Sequence, residues 1–141
     1  MSEAGQRFAS LSGMFAPRSV AVLGASADAQ RIGGRPIAYM LNQRFAGAIY
    51  PVNPKRDEVQ GLRAYPSVAS LPAAPECAVV AVAAEIAVQA VQDLADAGVK
   101  NTIVLSAGGA EVDAKGAAEQ ASMVAIARKA GMRLLGPNCL G

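Results

Sequence analysis

The sequence predicts an α/β fold, a mainly parallel sheet of five to six strands with helices on both faces. Three observations lead there. Short, apolar, β-branched runs recur along the whole chain. Segments with apolar residues at three- and four-residue spacing lie between them, and turns rich in glycine or containing Asn-Pro follow the runs. Parallel neighbours cannot be joined by a tight turn, so this alternation of two periods is what their crossover helices require. The class is Rossmann-like and doubly wound, with an expected strand order of 3-2-1-4-5-6.

At the start of the chain, a helical turn with Phe8, Leu11 and Phe15 is expected to cap the bottom of the fold before Pro17. The first strand is expected at 19–24, where Val20–Leu23 has the length and branching of a buried strand. Gly33, Gly34 and Pro36 mark the start of a helix, with Ile37, Met40, Leu41 and Phe45 sharing one face. Further strands are expected at 48–52, 78–82, 102–106 and 133–136, with a weak one near Leu62–Tyr65. Pro66, Pro72 and Pro75 replace one crossover helix by a loop or short helix. Val88, Val91, Ala95 and Gly98 define a second helical face, and Met123, Ile126, Ala127 and Ala130 a third. With no internal repeat and no linker, residues 1–141 read as a single domain.

Composition sets limits on function. A chain of 141 residues buries roughly 68–70% of its unfolded surface, enough for an ordinary core. The net charge of +2 excludes a general nucleic-acid surface, so any phosphate recognition must be local. The longest apolar run, Cys77–Ala84, falls far short of the ~18 residues of a membrane span. The opening MSEAGQR carries an acid and lacks a secretion signal's apolar core, so a soluble cytoplasmic protein is expected. Cys77, at the head of a core strand, reads as packing, and two cysteines make neither a disulfide framework nor a metal cluster. The chain has no histidine, which removes an imidazole base, an imidazole metal ligand and a Cys-His nucleophile at Cys139. No catalytic set and no metal site is expected; the residues describe a binding platform.

The segments following the strands are Gly24–Arg35, Val52–Arg56, Ala83–Glu85, Ser106–Asp113 and Gly136–Gly141. In a doubly wound sheet these meet on one rim, where ligands bind. Residues 20–34, VAVLGASADAQRIGG, run from strand through loop to a helix N-terminus, a geometry that offers backbone N–H groups and a positive dipole end to an anion. The glycine spacing is not that of the dinucleotide fingerprint. After the second strand, IYPVNPKRDE supplies Asn53 where an NAD-binding domain needs an acid. Lys55 and Arg56 suit a ligand with an extra ribose phosphate, as in NADP and coenzyme A, although in isolation they also fit a solvated turn. SAGGAEVDAKG, with glycines at 108, 109 and 116, allows close backbone approach to a ligand, and its Glu111 and Asp113 suit a helix N-terminus. GMRLLGPNCLG places Pro137, Asn138 and Cys139 directly after the last strand.

SVAVLGAS, IYPVNPK, GLRAYPSVASLP, SAGGAEV and RLLGPNCLG occur in that order between Phe15 and Gly141. Together they resemble the N-terminal CoA-binding domain of NDP-forming acyl-CoA synthetases, the group that includes the succinyl-CoA synthetase α subunit and ADP-forming acetyl-CoA synthetase. The resemblance implies a CoA site in which Gly24, Ala25, Ser26 and the loop to Arg31 line the nucleotide and its phosphates. It implies that Lys55 meets a phosphate of the 3′-phospho-ADP part and that Val82, Ala83 and Ala84 flank adenine or pantetheine. Ser106 and Ala107 would contact the pantetheine arm, and Asn138 and Cys139 would lie towards the thiol. In such enzymes a phosphohistidine domain and an ATP-grasp domain, with ATP or GTP and Mg, complete the acid–thiol ligase. Ala29, Gln30 and Arg31 stand where the family commonly has Pro-Gly-Lys, and Gly109 where a larger apolar residue is usual. Two other readings compete: a free-standing CoA-binding regulator, and an NADP-binding oxidoreductase or redox-sensing domain.

Overall fold

The computed structural model describes residues 12–105 and 114–136. β1 (Ser19–Leu23) is an inner strand: Val20 to Leu23 are all buried, and both of its edges are paired. β2 (Ala48–Val52) lies on one side of it, and β5 (Cys77–Val80), β6 (Asn101–Val104) and β7 (Arg133–Leu135) follow on the other. The sheet has five strands in the order β2-β1-β5-β6-β7, and every pair is parallel. Near-continuous Val, Ala, Ile and Leu in the inner strands is the composition required of strands covered on both faces.

The weak strand expected beyond β2 is reduced. β3 (Glu58–Val59) and β4 (Leu62–Arg63) form a separate antiparallel hairpin, and Tyr65 joins the outer edge of β2 as a single bridge to Val52. Tyr65 N–H donates to the Pro51 carbonyl at 2.9 Å, and Asn53 N–H to the Tyr65 carbonyl at 2.9 Å. The Tyr65 ring stands edge-on to Tyr50 with centroids 5.9 Å apart, and the Arg63 guanidinium lies 5.3 Å from its centroid. Pro66 follows at once and has no N–H to extend the ladder. The expected order 3-2-1-4-5-6 therefore loses its third strand to this bridge and otherwise stands.

One face of the sheet is covered by α2 (Ala84–Asp96), α3 (Ala114–Ala130) and a 3₁₀ turn at Val68–Ser70, which replaces the proline-rich crossover. Ala87, Ala90, Val91 and Leu94 meet Leu23, Val80, Val104, Met123 and Ala127 there. The other face carries α1 (Arg35–Asn42) and the hairpin, which bring Ile37 and Val59 onto Val20, Val22 and Val79. Several expected packing positions differ. Leu41 is 39% and Phe15 78% exposed, so neither is a core residue and Phe15 does not cap the fold; Phe8 and Leu11 lie outside the described residues. Gly98 ends α2 rather than packing on its face: at φ 84° it is the left-handed residue of a Schellman motif, with Val99 N–H on the Leu94 carbonyl. Gly131 closes α3 in the same way, while α1 uses Arg44 at φ 55° for the same job. Among the described residues, no helix is long and apolar enough to cross a membrane.

Candidate functional site

β1 ends at Gly24, whose φ of +81° turns the chain away from the sheet. The N–H groups of Gly24 and Ala25 both donate to the Val52 carbonyl, each at 3.2 Å, which ties the loop to the end of β2. A Cβ at Gly24 would lie 2.5 Å from the Ala81 carbonyl oxygen. One at Gly33 would run into the Gly24 carbonyl, and one at Gly34 into that of Asp28. These glycines thus let backbone pass close to backbone; ligand approach is not what demands them.

The loop is closed by its own hydrogen bonds. Ser26 N–H donates to the Gly33 carbonyl at 3.2 Å, Ser26 Oγ accepts from Asp28 N–H at 3.0 Å, and Asp28 Oδ1 accepts from Gln30 N–H at 2.9 Å. At the start of α1, Gly34 N–H and Arg35 N–H both turn onto the Arg31 carbonyl, at 2.9 and 3.0 Å, and Pro36 has no N–H to offer. The helix N-terminus is therefore largely satisfied from within, contrary to the open donor array that strand, loop and helix imply. Positive charge in this cleft comes from the side chains of Arg31 and Arg56, which both line it. Asp28 lines it too and pairs with Arg31 Nε at 3.8 Å, so among the described residues Arg56 is the unpaired cation of the two.

Two residues absent from the expected site organise it. Asn53 Nδ2 donates to the Ala25 carbonyl at 2.9 Å, and its Oδ1 accepts from Lys55 N–H at 2.8 Å. A carboxylate could not donate the first bond, so an amide fits here where a ribose-binding acid would not. Gln60, at the tip of the hairpin, donates from Nε2 to the carbonyls of Ser26 at 2.9 Å and Gly34 at 3.0 Å.

Two adjoining clefts result. The first, about 850 Å³, is bounded by the Gly24–Gly33 loop, Asn53 and Arg56, and it takes in the predicted Gly24, Ala25, Ser26 and Arg31. The second, about 510 Å³, lies between Lys55 and the start of α2, with Val52, Pro66, Val68, Val82, Ala83 and Ile86 making it mostly apolar. Gly24, Ala25 and Asn53 line both, so the clefts adjoin there. Of the predicted residues, Lys55, Val82 and Ala83 line the second cleft, and Ala84 opens α2 beside them. Ser106, Ala107, Asn138 and Cys139 lie outside the described residues. A further cavity of about 500 Å³ behind the 3₁₀ turn has Asp93 and Asp96 on its wall and neither lysine nor arginine, which suits an anion poorly.

Two groups with shifted pKa values lie away from these clefts. Glu76 is held below the usual carboxylate value by Arg18, first through the backbone N–H at 2.9 Å and then through Nε at 2.8 Å. Burial pushes the Cys77 thiol up to about 11, so it is no nucleophile near neutral pH. Among the described residues no cluster of His, Cys, Asp or Glu could hold a metal ion.

Residues 18–141 match the family model described as CoA binding domain. A trans-feruloyl-CoA synthase from an unknown prokaryotic organism is 42% identical over 89% of this chain and 18% of its own length. The α subunit of an ADP-forming acetate–CoA ligase from Pyrococcus furiosus is 37% identical over 90% of this chain and 28% of its own. The dinucleotide-forming acetyl-coenzyme A synthetase of Ca. Korarchaeum cryptofilum, solved with phosphate and ADP, superposes with a TM-score of 0.87 at 37% identity, over 93% of this chain and 28% of that one. A hypothetical protein from Pyrococcus horikoshii, 22% identical, has a TM-score of 0.70 over 99% of this chain and 87% of its own, and shows the fold alone. The chain thus spans 18% to 28% of the length of the first two relatives and the synthetase.

Proposed function

The chain belongs to the CoA-binding domain family, and from that premise we propose that it holds CoA for an NDP-forming acyl-CoA synthetase. The observation that carries this reading is the junction of a cationic, loop-walled cleft with an apolar one across Gly24, Ala25 and Asn53. CoA has the complementary halves, a phosphorylated anionic part and the weakly polar adenine and pantetheine.

In this reading the Gly24–Ser26 turn and Arg31 line the phosphates, with Arg56 as a second cation on the same wall. Lys55 meets the 3′-phosphate at the lip of the apolar cleft. Val82, Ala83 and Ala84 flank adenine or pantetheine. Ser106 and Ala107 follow the arm, and Asn138 and Cys139 stand towards the thiol. The chemistry is acyl transfer: the thiol sulfur, losing its proton, bonds to the carbonyl carbon of an acyl phosphate as the bond to phosphate oxygen breaks and phosphate leaves. The chain has no histidine to carry phosphate. A phosphohistidine domain and a nucleotide-binding ATP-grasp domain, with ATP or GTP and Mg, are its proposed partners, and a cytoplasmic location belongs to the same reading. The family match gives no support to an NADP-linked oxidoreductase or a free-standing regulator.

Calorimetric titration with CoA, dephospho-CoA and NADPH tests the proposal. CoA is expected to bind ten- to a hundredfold more tightly than dephospho-CoA, the equivalent of about 1.5–3 kcal/mol for a charge-assisted contact. Lys55→Ala should erase that difference with little change in thermal stability. NADPH binding as tight as CoA would return the site to the oxidoreductase class.

A further inference from the structure

Gln60 and Gly61 form the two-residue turn of the β3–β4 hairpin, with φ of 51° and 82°. Left-handed values at both positions define the type I′ turn, where Asn, Asp and Gly are the favoured residues and a long side chain is disfavoured. Gly61 meets that demand, with nothing within 4 Å of where a Cβ would stand. Gln60 does not. Its side chain instead leaves the hairpin, and the two hydrogens of one amide go to the carbonyls of Ser26 and Gly34, at 2.9 and 3.0 Å.

Those carbonyls stand at the two ends of the loop that walls the first cleft, with Asp28, Arg31 and Ile32 between them. The hairpin is itself anchored, because the neighbouring Val59 is fully buried against the core. An unfavourable backbone conformation persists where surrounding contacts over-determine it, and such positions cluster at ligand clamps. We infer that Gln60 is a positioning residue: it keeps a disfavoured turn conformation so that its amide can pin both ends of the loop and hold Arg31 and the cleft wall in their binding arrangement. The inference rests on the CoA-binding reading only for the ligand.

The test uses Gln60→Asn and Gln60→Gly. Both residues are better suited to the turn, and neither can span the two carbonyls, Asn being one methylene too short. A clamp predicts that the melting temperature is unchanged or raised while CoA affinity falls roughly three- to thirtyfold. It also predicts faster amide hydrogen exchange within residues 27–33 of the free variants. Affinity within twofold of wild type overturns the inference. So does a melting temperature that falls in step with affinity, which would make Gln60 a plain fold contact. If wild-type protein fails to bind CoA, the functional reading falls, and exchange in the loop still decides the clamp: unchanged rates in both variants would refute it.

Discussion

At the amino ends of the strands, Arg18 gives both its backbone N–H and its guanidinium to Glu76; Glu76 N–H donates to Ser19 Oγ, and the Glu76 carbonyl accepts from Asn101 Nδ2 at 2.9 Å. At the carboxyl ends, Lys55 and Arg56 follow β2 with no carboxylate in ion-pair reach among the described residues. At the first end the Arg18–Glu76 charge pair is satisfied within the chain, while Asn101 Oδ1 and the Thr102 hydroxyl are buried without a hydrogen-bond partner among the described residues, so the charge at that end serves the fold. At the second end the backbone is tightly tied by Asn53, Gln60 and the glycine crossings, while cationic side chains are left for something else to neutralise. A rigid frame with uncommitted charge is the physical description of a prepared anion site.

The contrast can be broken most forcefully at Gly24. In Gly24→Ala the new Cβ combines a left-handed φ with a contact to the Ala81 carbonyl, and a loss of about 3 kcal/mol or more is expected in urea unfolding. A loss under about 1 kcal/mol would show that this crossing yields easily. Next in size is Asn53→Asp, which replaces the donor to the Ala25 carbonyl by an acceptor. A loss of about 1–3 kcal/mol and weaker CoA binding are expected together, and unchanged calorimetric affinity would separate Asn53 from the site.

At the opposite end the effect is pH-dependent. Because Arg18 lowers the Glu76 pKa below 4.5, the contact stabilises the fold fully above the unfolded-state value and is lost as pH falls through the folded-state value. Wild type should therefore exceed Glu76→Gln in unfolding midpoint at neutral pH, and the gap should close on acidification below about 4.5, with CoA affinity at neutral pH unmoved. A gap that persists in acid would assign the effect to packing. The smallest expected change is a gain: Arg44→Gly relieves the left-handed cap of α1 and should add about 0.5–1 kcal/mol without altering binding. A loss would mean that the Arg44 side chain contributes more than the strain removes.

Much of the frame was legible in the sequence because it depends on local pattern. Val20–Leu23, Ile49–Val52 and the Cys77–Val80 run fall where their apolar content places them, though β5 and β6 end earlier than expected. Among the described residues, the loops after β1, β2 and β5 were legible as neighbours on one rim, since a parallel sheet delivers its strand ends to one side. What escaped was tertiary. Gln60 acts on residues 34 and 26 positions away, and no periodicity marks such a reach. Gly33 and Gly34 read as the start of a helix, and their second task, letting one backbone segment cross another, shows only once the fold is assembled. The missing third strand turned on Pro66 and a left-handed turn at Gln60-Gly61, which together favour a hairpin with one bridge over a full edge strand.

The bridge at Tyr65 bears on how the molecule meets its neighbours in solution. Pro51, fully buried in β2, takes its bond from Tyr65 through the carbonyl and has no N–H to give on that outer side. An invading strand would find one docking point already filled and the next lacking a donor. Recruitment of another polypeptide by β-augmentation is thereby disfavoured at the carboxyl end of this margin, where a donor is missing and an acceptor is already taken.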